Sequence, residues 1–143
     1  MAEYLLREKI ANDATGKIES ISAGTDTSGG SPSLSVTVTV MSEIGIDVSA
    51  HRSQPVTRKL LEQCDVVLGM TQEHYERLQW LVPDNVVLST LGAYPGQPSN
   101  GQQDIEDPFG QSIDRYRHYR DRIASEIERI FPILISKATK IRS

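Results

Sequence analysis

Apolar and polar positions along the chain change their period several times, and these changes predict alternating helices and strands. The apolar side chains of residues 2–12 share one face of a predicted helix. Residues 17–22 alternate at first and predict a strand. The continuous apolar runs at 65–70 and 86–88 are typical of strands covered on both faces in a parallel sheet. Strands that alternate with helices predict an α/β layered fold.

From residue 57 onward, helix boundaries are marked by capping residues and by a proline. Thr57 and Thr71 each precede a helical segment and can accept a backbone N–H with the side-chain hydroxyl. His74 stands where a capping box would need Glu or Gln, so no box is predicted and the imidazole is expected on the helix surface. From Ser112 onward apolar residues recur every three or four positions, which predicts a long amphipathic helix that Pro132 kinks or ends.

The segment 33–40 supports two predictions. Its four aliphatic residues alternate with Ser and Thr, as they would in a half-buried strand. The residues that follow end in Gly45, as at the end of a helix, and β-branched side chains are only moderately poor helix formers. The local pattern therefore leaves both structures open.

Composition narrows the class of protein. A chain of 143 residues suits a single domain, predicted here over 1–143. The net charge of −4 argues against a nucleic-acid partner, which usually requires a basic surface. Cys64 is the single cysteine, so no intrachain disulfide can form, and a cytoplasmic location is expected. No membrane span or signal peptide is predicted, and the histidines and the cysteine lack the spacing of metal ligands.

The candidate chemistry lies just before the last predicted helix, in residues 104–110. Asp107 stands between a second acid, Glu106, and Pro108, and Gly110 follows three residues later. An Asp held in this way at a loop–helix junction can point its carboxylate into a cleft and act as a general acid. The alternative is a solvated acidic turn that caps the helix, because Pro and Gly mark turns far more often than active sites.

Five blocks in chain order resemble the low-molecular-weight protein phosphatase family. They are Met1-Ala2-Glu3, Ser22-Ala23-Gly24-Thr25, residues 45–53 with Thr57, residues 65–71, and Asp107-Pro108-Phe109-Gly110. The resemblance implies a Rossmann-like, three-layer fold in which a parallel sheet is flanked by helices, truncated here at its first strand, and it favours a helix at 33–40. It also implies hydrolysis of phosphorylated protein substrates with no metal or other cofactor.

By the same resemblance, Asp107 is the catalytic general acid, which protonates the leaving group and later activates water. Ser22 and His51 match positions that brace the phosphate-binding loop; the alternatives are a turn hydroxyl and a loop histidine. Phe109 is expected to line the substrate pocket or else to pack against the last helix. Because Gly110 follows the single aromatic of this loop, the chain is closer to the bacterial protein arginine phosphatases, and both phosphoarginine and phosphotyrosine stay open as substrates.

One departure from the family pattern concerns the nucleophile, which belongs to a Cys-x5-Arg loop that these residues do not contain. Cys64 is followed six positions later by Met70 rather than Arg, and it is predicted to be a core residue. The expectation is that the loop and the strand before it would precede Met1, and that the chain as given lacks the nucleophile and is inactive. The alternative is a catalytically dead pseudophosphatase or a truncated binding module.

The same departure affects stability. Without the family's first strand, the predicted strand at 17–22 has no inner neighbour. Unpaired backbone groups in a buried place cost about 1–3 kcal/mol each, against a typical native stability of about 5–15 kcal/mol. The sequence therefore predicts that the chain is poorly folded when alone.

Overall fold

The computed structural model describes residues 1–13, 18–25 and 27–142, with side chains up to residue 138. Five helices and two strands follow one another in these ranges. In chain order they are α1 (Ala2–Ala11), α2 (Ser35–Ser42), α3 (Arg58–Leu61), β1 (Val66–Gly69), α4 (Gln72–Leu78), β2 (Val87–Thr90) and α5 (Ile113–Arg142). The alternation of helices and strands confirms the predicted α/β class.

The two strands form a parallel pair, with Val66 opposite Val87 and Gly69 opposite Thr90. Helix α4 connects them and packs on both, as a crossover between parallel strands requires. In the part of the chain that the structure describes, the sheet has no third strand. Three of the four β1 residues stay partly exposed, so the prediction that both faces of this strand are covered is wrong.

The strand predicted at 17–22 is wrong for the described residues 18–22, and Lys17 lies outside the described part of the chain. A strand requires a neighbour that accepts and donates along its edge, and no described strand lies beside this segment. Its groups are bound in other ways: the Ser22 carbonyl accepts from Gln54 Nε2 at 2.9 Å. Further on, Gly24 forms an isolated parallel bridge with Pro55.

The ambiguous segment is helical, as the family resemblance favours. Helix α2 buries Val40 and Met41 completely, and the chain leaves it through Gly45, whose φ of +80° suits a helix end. The alternation of Val and Thr is therefore misleading here, because packing of the last turn outweighs the small helix penalty of β-branched residues.

Helix α5 carries much of the core. It packs against α1 and α2. It runs past Pro132 to Arg142, so this proline does not end the helix, and the alternative that it kinks the helix stays a prediction. Its buried face joins side chains from α1, α2 and the loops in one cluster. The buried members are Leu5, Val40, Met41, Ile46, Val48, Leu91, Tyr94, Ile105, Tyr116, Ile123, Ile127 and Ile130.

An ion-pair network ties the end of α2 to α5. Glu43 accepts from Arg117 Nη2 and from Arg120 Nη1, each at 2.8 Å. The largely buried Arg120 also donates to the Val40 carbonyl at 2.8 Å. These hydrogen bonds, that from Arg117 first, lower the pKa of Glu43 to about 2.

We expect Glu43→Gln to lower the melting temperature at pH 7, because Arg120 then keeps only a neutral partner at this position. The folded-state pKa lies below the usual value of 4.5, so this stabilisation is present above pH 4.5 and is lost as the pH falls toward 2. The difference in melting temperature between variant and wild type should shrink over that range. Glu128→Gln, which removes a 3.3 Å surface pair with Lys9, is the control. An equal difference at pH 7 and pH 3 would contradict the assignment.

Candidate active site

The acidic loop 104–110 is fastened to the carboxyl end of β1. The Ile105 N–H donates to the Met70 carbonyl at 2.9 Å, and Ile105 is itself buried. Asp104 Oδ1 accepts the Gln72 N–H at 2.8 Å, so its carboxylate caps the first turn of α4. The loop therefore begins from a fixed place between a strand and a helix.

Asp107 lies on a turn that its own carboxylate helps to form. Its Oδ1 accepts the Phe109 N–H at 3.0 Å, and Gly110 closes the turn at φ +81°, a conformation that L side chains rarely adopt. On the buried face of α5, burial and then Asp107 raise the pKa of the Tyr116 phenol, and the Gly110 backbone acts in the opposite direction. The result is an exposed carboxylate on a held turn, which is what a general acid requires.

The charge of Asp107 affects titratable groups on two helices. Burial, and then Asp107, raise the pKa of Tyr119, on α5 and in the same cleft, to about 12. Burial lowers the pKa of the Met1 α-amino group, at the start of α1, while Glu3 and Asp107 act in the opposite direction.

A cleft of about 250 Å³ opens beside Asp107. Its walls come from the end of β1, the first turn of α4, the acidic loop and α5. The lining residues are Met70, Thr71, Glu73, His74, Asp104, Ile105, Glu106, Asp107 and Tyr119.

His74 has a defined place in this cleft, and the prediction of a plain surface residue is wrong. Its Nδ1 accepts the Met70 N–H at 3.1 Å, and its own N–H donates to the Thr71 hydroxyl at 3.2 Å, which confirms Thr71 as the helix cap. In a capping box, Glu or Gln at this position accepts the backbone N–H of the capping residue. The imidazole instead accepts the N–H of the residue before the cap, Met70. A wider definition of that box, with His allowed, is the signal that could have found it.

The two residues predicted to brace a phosphate-binding loop meet at a third side chain, Glu3. Ser22 Oγ donates to Glu3 Oε1 at 2.6 Å, and His51 Nδ1 lies 3.9 Å from the same oxygen. Arg7 forms an ion pair with the other carboxylate oxygen, and the ring of His51 stands edge-on to Tyr4 at 5.5 Å. Ser22 and His51 therefore lie beside the first turn of α1, and their bracing role stays a prediction.

Glu3 belongs to the first of the five family blocks, but the sequence did not predict that its carboxylate is buried and paired. Its side chain is buried although it is charged, and such groups are rare unless they are paired. Only its place in the first turn of α1 was a signal, since an acid there is favoured by the helix dipole. Its burial depends on residues 18–22 and on His51, which are distant in sequence.

Phe109 and Cys64 both lie outside the residues that line the cleft. The Phe109 ring is 72% exposed and does not line the cleft, so a pocket role for it stays a prediction. Cys64 is partly buried, and its Sγ lies 3.6 Å from the Leu60 carbonyl. Burial, and then Asp65, raise the pKa of its thiol, which disfavours the thiolate that a nucleophile needs.

The described residues also bear on metal binding and on membrane insertion. No group of three or more His, Cys, Asp or Glu side chains is arranged to hold a metal ion within those residues. None of the helices in the same residues is long and apolar enough to span a membrane.

The fold is similar to that of a solved phosphatase. The crystal structure of a low molecular weight protein tyrosine phosphatase from T. tengcongensis matches with a TM-score of 0.81 and 27% identity, over 92% of this chain and 87% of that chain. A family model for low molecular weight phosphotyrosine protein phosphatases matches residues 1–140. The chain therefore belongs to this family, as its sequence predicts.

Relatives that are similar in sequence are named for more than one activity. A protein-arginine-phosphatase of Geobacillus stearothermophilus is 32% identical over 122 residues, 85% of this chain and 80% of that protein. The protein-arginine-phosphatase of Bacillus subtilis is 32% identical over 80 residues, so the match spans 51% of this chain and only 47% of that protein. An arsenate reductase of Staphylococcus saprophyticus is 28% identical over 110 residues, 77% of this chain and 72% of that protein.

The proximity of Asp107 to Tyr119 can be tested without any activity. Because a carboxylate disfavours a nearby phenolate, Asp107→Asn should lower the pKa of Tyr119 from about 12. NMR of the Tyr119 ring between pH 9 and pH 13 measures it.

Glu106→Gln is the matched control, since Glu106 is adjacent in sequence but does not contribute to this pKa shift. An unchanged Tyr119 titration in the Asn variant, or an equal change in both variants, would place the Asp107 carboxylate elsewhere.

Proposed function

We propose that the chain carries the proton-transfer half of a protein phosphatase site. The observation that supports it is the turn that presents the exposed Asp107 carboxylate at a cleft between the acidic loop and α4, with an electrostatic effect of that carboxylate on the Met1 end of α1. A helix N-terminus favours an anion such as a phosphoryl group. A carboxylic acid near the phosphoryl group, here Asp107, could protonate the oxygen or nitrogen of the leaving group.

The reaction has two steps, and Asp107 acts in both. A cysteine thiolate attacks phosphorus, the bond from phosphorus to the leaving oxygen or nitrogen breaks, and Asp107 gives its proton to the leaving atom. Water then attacks the phosphocysteine, its proton passes to the Asp107 carboxylate, and inorganic phosphate leaves with the thiolate restored. The hydrogen bond from the Phe109 N–H and the attachment of Ile105 to the Met70 carbonyl keep this carboxylate at the cleft throughout.

The substrates that this site suits are phosphorylated proteins. The single aromatic residue of the acidic loop, followed by Gly110, and the similarity to two protein-arginine-phosphatases support phosphoarginine. The similarity to a solved tyrosine phosphatase supports phosphotyrosine. A parallel assay with both phosphorylated peptides decides between them.

The nucleophile is a separate question. These residues hold no Cys-x5-Arg sequence, and the raised pKa of the Cys64 thiol makes it a poor substitute. The start of α1, braced through Glu3 by Ser22 and His51, is where such a loop would deliver its thiolate and guanidinium. The proposal is therefore that the residues given do not turn over substrate alone; the alternative is a pseudophosphatase or binding module.

We expect no phosphate release from phosphoarginine or phosphotyrosine peptides with the 143-residue chain, and release when a family-type strand and Cys-x5-Arg segment is joined before Met1. Phosphate release over time is the measurement. The same segment with Cys replaced by Ser is the control, because it keeps the loop and removes the nucleophile. Binding of phosphopeptide without release by the joined chain would favour the binding module.

In the joined chain, Asp107→Asn should reduce kcat by about 10²–10⁴-fold, the usual contribution of a general acid, and leave phosphopeptide affinity nearly unchanged. Glu106→Gln, on the same loop, should keep a kcat near that of the parent. A substrate whose leaving group needs no protonation should be less sensitive to the Asn substitution. If kcat is unchanged in Asp107→Asn, Asp107 is not the acid.

A further inference from the structure

His74 has one of its two ring nitrogens already committed. Its Nδ1 accepts the Met70 N–H at 3.1 Å. A ring nitrogen that accepts a hydrogen bond carries no proton, so the neutral imidazole carries its proton on Nε2. The free end of this side chain is therefore a hydrogen-bond donor.

The ring has little freedom to turn away. Thr71 Oγ1 holds the backbone of His74 in the first turn of α4. On the other side α4 approaches β1 so closely that a Cβ on Gly69 would lie 2.7 Å from the His74 Cβ. A donor fixed by such contacts loses little conformational freedom when it binds a ligand.

The second ring nitrogen of His74, Nε2, differs from Nδ1 in its hydrogen bonding. Among the described residues no hydrogen-bond partner is found for His74 Nε2, while Nδ1 and the backbone N–H are both satisfied. The side chain is only partly buried, and it lines the same cleft as Asp107 and Tyr119. Nε2–H is thus available to a molecule that enters this cleft.

The charge of the cleft decides what kind of acceptor suits this donor. Four lining residues are acids, and neither Lys nor Arg is among the lining residues; the acids are Glu73, Asp104, Glu106 and Asp107. Carboxylates at this range oppose the entry of a phosphoryl group. The donor therefore suits a neutral oxygen, and in a phosphorylated protein the neutral oxygens beside the modified residue are main-chain carbonyls.

We propose that His74 is a substrate-binding residue, whose Nε2–H donates to a main-chain carbonyl oxygen of the phosphorylated protein next to the residue that Asp107 protonates. This inference rests on the proposed function, because only the proposed function assigns the cleft to a phosphorylated protein substrate. It gives the site a means to prefer a phosphorylated residue within a polypeptide over a small phosphate ester that has no main chain.

The first test is the tautomer, by ¹H–¹⁵N NMR of the histidine rings in the 143-residue chain. We expect the proton of His74 on Nε2, and a proton on Nδ1 would overturn the proposal. The second test is a titration with N-acetyl-tyrosine N-methylamide, which is neutral and has two main-chain carbonyls. It should shift the His74 Nε2–H signal in a saturable way.

The control probe is p-cresol, the tyrosine side chain without a main chain. It should leave the Nε2–H signal in place, and an equal shift with p-cresol would overturn the role of the carbonyl. If the amide leaves the His74 Nε2–H signal unchanged, the inference about His74 is wrong. The proposed function is not affected by that result, because phosphate release tests it with other substrates.

Two variants separate binding from structure. In His74→Asn, the shorter side chain can still accept the Met70 N–H but does not reach the position of Nε2. In His74→Ala, both the acceptor for the Met70 N–H and the donor at Nε2 are lost. The backbone N–H signals of Met70 and Thr71 report binding of N-acetyl-tyrosine N-methylamide in these variants. Its Kd should rise about fivefold in each variant, which corresponds to the loss of one ordinary hydrogen bond. The melting temperature should fall mainly in the Ala variant. A Kd unchanged in His74→Asn would overturn the proposal; should that variant not fold, the wild-type titration decides.

Discussion

The peptide groups on either side of Met70 hold the candidate site together. The Met70 carbonyl, at the end of β1, accepts the Ile105 N–H and so fastens the acidic loop. The Met70 N–H donates to His74 Nδ1 and so fastens the first turn of α4. Because both groups belong to one strand end, the loop with Asp107 and the helix with His74 are fixed relative to each other. The carboxyl end of a parallel strand is where an open α/β sheet usually places its ligands, and here the hydrogen bonds of one residue supply the reason.

Local patterns predicted those parts of the fold whose stability is local. Thr57 and Thr71 cap their helices as the sequence indicates, because a hydroxyl and an N–H three residues later are enough to form the contact. The segment 18–22 is the opposite case: its alternation is real, but a strand exists only beside another strand. Helix α2 depends in turn on Val40 and Met41 reaching the core, which outweighs a pattern typical of a strand.

The candidate site divides in the same way. Asp107 could be proposed from its neighbours, since Pro108 and Gly110 define the turn and the acid on it. Glu3 could not, because its burial is created by Ser22 and His51, which lie far along the chain. His74 lay between these cases: its position three residues after a capping Thr is visible in the sequence, but an imidazole as the acceptor falls outside the usual capping rule.

The proposed acid and the proposed phosphate-binding helix end lie on different elements, and α5 is adjacent to both. Asp107 of the acidic loop and Tyr119 of α5 line the same cleft, and α1 packs along the same helix. The start of α1 supplies only about half a positive charge, and the Arg7 guanidinium and the His51 ring near it both lie beside the Glu3 carboxylate. No Lys or Arg is among the described residues that line the cleft, whereas four acids are. A guanidinium that binds two phosphoryl oxygens is therefore the charge that the proposed phosphatase site still requires.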